Sequence, residues 1–159
     1  PGSQQGHEFL GRYLLGLEKH DEALEHFRRG QIDRPDNLYN QAFSLLRLGR
    51  KGPADEKLKL AEAMKPNDPQ ILNLRGNWHL ESGNLEQAEA FFMRSLALPA
   101  QLLTELIRAE AQTNVGVLKF RQGKLEECLE WQERALLSQP GYIYALYNQG
   151  LCNWGLKRI

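Results

Sequence analysis

No sign of charge predominates in this 159-residue chain, in which 20 Lys and Arg balance 20 Asp and Glu. That balance argues against a basic track for nucleic acid and against attraction to an anionic membrane surface. No apolar run approaches the roughly 20 residues of a membrane helix, so direct membrane insertion is not expected. Cysteine is scarce: Cys128 and Cys152 stand alone, without the CxxC spacing of a zinc site or the density of a disulfide framework. Read from sequence they are buried, reduced thiols, which favours a cytoplasmic setting. His7, His20, His26 and His79 fall at unrelated places, with His20 and His26 on different faces of any helix. No metal site or cofactor is expected. Neither a P-loop nor an HExxH or GxSxG sequence occurs, and the chain offers no catalytic constellation. An enzyme is therefore not expected.

Small residues, by contrast, recur in a fixed order. Gly11, Ala42, Gly76, Gly116 and Gly150 step by 31, 34, 40 and 34 residues. Ala23, Ala54, Ala88 and Cys128 step by 31, 34 and 40, and Gly30, Ala61, Ser95 and Ala135 repeat those three intervals. Three series with the same irregular intervals mark an internal repeat near 34 residues, the length of a stacked helix–turn–helix unit. Helices approach to about 8–10 Å only where the crossing side chains are short. Each unit thus reads as helix A carrying one small residue, helix B carrying two, and a closing proline at Pro35, Pro66, Pro99 or Pro140.

With Phe27 and Phe92 four residues after Ala23 and Ala88, this pattern resembles the tetratricopeptide repeat (TPR) family over essentially the whole chain. The resemblance implies an all-α solenoid of antiparallel helix pairs, a right-handed superhelix of about four repeats plus a final A helix. The repeats span about 4–35, 36–68, 69–99, 100–141 and an incomplete 142–159, with Pro1-Gly2-Ser3 reading as a tag remnant. Departures fall where the family carries large apolar residues in helix A: His7, Gln41, Arg75, His79, Gln112, Lys119, Gln149 and Asn153. Gln132 likewise replaces the B-helix aromatic.

Local signals predict A helices over about 5–17, 37–48, 69–82, 100–122 and 142–156, and B helices over about 21–33, 53–65, 85–97 and 125–138. Pro53 is placed at the first helical position, Asn84 with Gln87 as a capping box, and Gly49, Gly83 and Gly123 as left-handed caps. The short first interval predicts a second A helix trimmed at its start; the long third one predicts a fourth A helix longer by two turns. The last A helix has no B partner and is apolar on nearly every side, so the polypeptide reads as part of a longer array, able to self-associate through that helix.

The resemblance also locates a binding surface, the concave face lined by A helices. Groove residues taken from it are Arg12, Tyr39, Asn40, Phe43 and Arg47, then Asn73, Asn77, Asn114, Phe120, Arg121, Tyr147 and Asn148. An asparagine amide pairs with both groups of a peptide bond, and tyrosine adds contact area with few rotamers to freeze. Family members that hold the acidic tail of a heat-shock chaperone place Lys and Arg on successive A helices. Here those places hold Asn73, Tyr144 and Asn148, so a tail clamp is not expected. The expected function is a non-catalytic scaffold holding a peptide or helix of a partner protein. The alternatives are a self-assembly element and a recruiting domain of a larger enzyme.

Overall fold

A computed structural model of the protein describes residues 2–157. Among the described residues it holds nine α-helices and no strand: α1 (Gln4–Gly16), α2 (His20–Arg29), α3 (Pro35–Arg47), α4 (Lys51–Met64), α5 (Pro69–Glu81), α6 (Leu85–Leu96), α7 (Glu105–Arg121), α8 (Leu125–Ser138) and α9 (Ile143–Gly155). Odd-numbered helices are A helices and even-numbered ones B helices. The chain divides at Pro66 into two compact units, the first containing α1–α4 and the second α5–α9.

One turn is built four times. Glu18, Gly49, Gly83 and Gly123 follow α1, α3, α5 and α7 in the left-handed conformation, with φ of 57°, 72°, 81° and 74°. Each is followed by an N-cap residue of nearly constant backbone: Lys19, Arg50, Asn84 and Lys124 have ψ of 68°, 68°, 72° and 73°. None of these four makes a side-chain capping bond, Asn84 included, so the expected capping box with Gln87 does not form. A capping side chain works from the extended region, and the tight turn holds the backbone out of it. Three other helices, α1, α5 and α7, are capped by side chains. Ser3 accepts from Gly6 N, Asp68 from Gln70 N and Ile71 N, and Thr104 from Ile107 N.

The irregular intervals have a different origin from the one predicted. α3 begins at Pro35 and α5 at Pro69, each 13 residues long with its small residue eighth. The residues missing from the first repeat come from the end of α2, which stops at Arg29, immediately before Gly30. Gly30 lies so close to α1 and α3 that a Cβ there would sit 2.8 Å from both Asn37 Nδ2 and Glu8 Cγ. The long interval adds four residues to the helix, since α7 has 17 against 13. That is about one turn rather than two. The remainder, including the buried Leu103, forms turns before the Thr104 cap. Pro53 also shifts, since α4 starts at Lys51. Proline is tolerated there because none of the first four helical N–H groups has an intrahelical partner.

Packing within each hairpin follows the small residues, with one refinement. The A-helix glycine faces a large B-helix side chain rather than the small one. A Cβ on Gly11 would lie 2.6 Å from Phe27 Cε1, and one on Gly76 would lie 2.6 Å from Phe92 Cδ1. Phe27 and Phe92 are both fully buried. Phe92 sits in a cluster with Leu80, Ala88, Val115 and Leu118. At Gly116 the facing group is the Gln132 amide, which donates to Thr113 O at 3.2 Å.

Several of the polar residues standing where the family is apolar find polar or aromatic partners. His7 Nδ1 lies 2.9 Å from His26 Nδ1. Gln41 donates to Asn37 Oδ1 at 2.7 Å, and Asn37 in turn donates to Phe27 O at 3.1 Å. His79 stacks on Phe91, with ring centroids 5.3 Å apart. Ser138 donates to Gln112 Oε1 at 2.8 Å. Lys119, 7% exposed, meets Glu89 at 2.8 Å and Glu127 at 3.2 Å. Burial alone would lower its pKa, but the two glutamates outweigh that and raise it.

The cysteines require a correction. Cys128 on α8 and Cys152 on α9 are joined in a disulfide, with Cα atoms 6.1 Å apart, within the range a disulfide spans. They are not reduced thiols. The sequence separation concealed that α9 packs directly against α8, where Cys128 occupies the small-residue place. The cytoplasmic expectation loses the support it drew from free thiols.

Candidate functional site

In each unit A helices lie beside one another: α1 against α3 in the first, and α7 against both α5 and α9 in the second.

In the first unit, Arg12 is exposed and lines a hollow of about 280 Å³ with Gln5, Glu8, Phe9 and Arg34. Glu8 accepts from Gln31 N at 3.1 Å, which fixes its carboxylate there. Tyr39 and Phe43, one turn apart on α3, stack at 6.4 Å, and His20 meets Phe43 edge-on at 5.9 Å. Burial, then the Arg47 guanidinium, lowers the pKa of His20. Arg47 is exposed, and Asn40 is partly buried. Tyr39, Phe43, Arg47 and His20 thus gather at one place, a grouping in which only the histidine went unforeseen.

In the second unit the asparagines divide. Asn73 is 1% exposed and donates to Ile107 O at 3.5 Å, joining α5 to α7. It holds the scaffold and leaves Asn77, Asn114 and Asn148 as the partly buried members. Arg121 donates to Leu80 O at 2.8 Å, a further link between those helices, and Phe120 is partly buried. On α9 the exposure is large: Tyr144 59%, Tyr147 67% and Trp154 69%. Glu110 precedes Asn114 by four residues, which places the two on one helical face, and Tyr142 was not among the groove residues read from sequence.

No group of three or more potential metal-ligating side chains occurs among the described residues. No helix there is long and apolar enough to cross a membrane.

These features define helical hairpins packed side by side within each unit. The third hairpin carries a tetratricopeptide repeat: the family model described as tetratricopeptide repeat matches residues 69–101. No curated protein sequence matches the chain significantly. Among solved structures it is similar to PilF of Pseudomonas aeruginosa, with a TM-score of 0.78 at 17% identity over 97% of this chain and 69% of that one. A chain of the APC/C hetero-tetramer Cut9–Hcn1 gives 0.82 at 17% identity, over 98% of this chain and 30% of the other. YrrB, described as a TPR protein with an unusual peptide-binding site, gives 0.66 at 22% identity over 92% and 74%. Identities this low speak for the fold.

Proposed function

We propose that the protein is a non-catalytic scaffold whose A-helix faces hold a peptide or helix of a partner protein. The observation that carries this reading is the exposure of Tyr144, Tyr147 and Trp154 on α9, in a unit whose A helices also carry the partly buried Asn77 and Asn148. Large exposed aromatics are the commonest anchors of a recognition surface, and an asparagine amide can bond peptide backbone. The peptide-binding site named for YrrB lends support by analogy of fold alone. Nucleic acid is not the expected ligand, given the charge balance.

The test is selection of displayed random peptides on the immobilised protein, followed by titration of the best binder. Asn77→Ala and Tyr147→Ala should each weaken binding by about 1–2 kcal/mol while circular dichroism stays unchanged. Unaltered affinity in the double variant would overturn the reading.

One observation favours a second reading. Ile143, Tyr144, Leu146, Tyr147 and Trp154 are all exposed on α9, a surface on which a second copy could associate. Sedimentation velocity decides it, because a concentration-independent monomer excludes self-association.

A further inference from the structure

Glu110 is a carboxylate without a counterpart. It lies on α7 with Asn114 and Val117 at i+4 and i+7, on one helical face. It is partly buried, and no hydrogen bond or ion pair reaches it among the described residues. The basic side chains of its own helix are engaged elsewhere: Arg108 with Glu105, Lys119 with Glu89 and Glu127, and Arg121 with Leu80 O. Burial holds its carboxyl above the ordinary value.

Beside it stands an aromatic corner. Tyr142, at the N-cap of α9, packs on the buried cluster of Ala109, Ala135 and Ala145. Tyr144 meets it edge-on, with ring centroids 5.6 Å apart and planes at 62°. The Tyr142 hydroxyl is pushed up to about 12, first by burial and then by the charges of Glu110 and Tyr144. Tyr142 packs on Ala109, the residue before Glu110 in α7, and Tyr144 touches Tyr142 in turn, so the carboxylate borders an aromatic pair. A half-buried anion is unfavourable until a cation meets it, and ring faces attract the same cation.

We infer that Glu110, Tyr142 and Tyr144 form a receptor for a lysine or arginine side chain of a bound partner segment. The inference rests on the scaffold reading above and gives it a chemical preference opposite to a clamp for an acidic tail.

The experiment is an amide-resolved NMR titration of the full chain with n-butylammonium and methylguanidinium chlorides, using 1-butanol and sodium chloride as controls. The two cations should shift the amides around Glu110 and Ala145 saturably, and the controls should not. Glu110→Gln should weaken cation binding about fivefold or more. Tyr144→Ala should also weaken it, while Tyr144→Phe retains it. Glu110→Gln should melt at or above wild type at pH 7, so lost binding will not reflect unfolding. The sign follows from the raised folded pKa. Relative to the unfolded chain, the carboxyl's contribution to folding is fully present below its ordinary value of 4.5 and is lost as pH rises through the raised folded value. Equal shifts with 1-butanol, or cation binding unmoved by Glu110→Gln, would overturn the inference. The scaffold reading fails separately. If selected peptides carry no basic residue yet need Asn77 and Tyr147, the scaffold stands and the cation receptor does not.

Discussion

Replacing Gly76 with alanine adds one methyl group where α5 crosses α6 against a buried aromatic ring. Helix propensity alone makes glycine-to-alanine favourable by about 0.8–1 kcal/mol. The site opposes that gain. The new Cβ would lie 2.6 Å from Phe92 Cδ1, about 1 Å inside the optimum separation of two carbon atoms. Phe92 has little room to retreat, since Leu80, Ala88, Val115 and Leu118 enclose it, with Leu85, Leu96, Val117 and Trp131 around them. Overpacking costs about 1–3 kcal/mol, occasionally more, and the rigid ring places this case at the upper end. The net expectation is destabilisation by about 2 kcal/mol, or a fall in melting temperature of roughly 8–16 °C for a unit of this size. Urea and thermal unfolding followed by circular dichroism measure it. Phe92→Leu in the same chain should recover part of the loss by opening the contact. The matched control is Gly150→Ala, where a Cβ meets nothing within 4 Å, and a gain of about 0.5–1 kcal/mol is expected. A Gly76→Ala protein as stable as wild type would refute the crossing geometry.

Two further outcomes follow from features already described. Cys152→Ser, or reduction of the Cys128–Cys152 bond with its sequence separation of 24, should destabilise α9 by about 3 kcal/mol; Trp154 fluorescence reports the change, and an intact mass lower by two hydrogens in the untreated protein confirms the bond. Glu18→Gly should stabilise the first unit by about 1 kcal/mol, because Glu18 alone among the four A–B turn residues holds a positive φ with a side chain attached; a loss of stability in urea unfolding would contradict it.

The helix pairs were legible in sequence because steric demands at a crossing admit few residues. Gly11, Gly76, Ala23 and Ala88 announce contacts that larger side chains would abolish. Helix starts were less legible. Asn84 carries the right side chain for a cap, yet the turn through Gly83 fixes a backbone on which the cap bond does not form. The extent of α7 was hidden because Ala100–Leu103 is apolar enough to read as helix, while the Thr104 hydroxyl sets the true beginning. Tyr39, Phe43 and Arg47, taken as groove residues from the family resemblance, fall on one face of α3 because they are four residues apart. Asn73 illustrates the opposite case. Whether an amide faces outward or binds Ile107 O depends on how closely α5 and α7 approach, and residue identity does not encode that distance. The Cys128–Cys152 bond depends in the same way on the seating of α9.

That seating has a consequence for what α9 can display. Only Ala145 and Cys152 of its residues are buried, so the helix is moored to α8 by a covalent tether more than by apolar interlocking. A helix held through apolar contact must devote a broad stripe of its circumference to being held. A moored helix needs a single point of attachment, and the rest of its perimeter is released from that duty. Tyr144, Tyr147 and Trp154 can therefore face outward together from one rigid segment, and their composition is free to follow a partner's shape rather than the demands of a core.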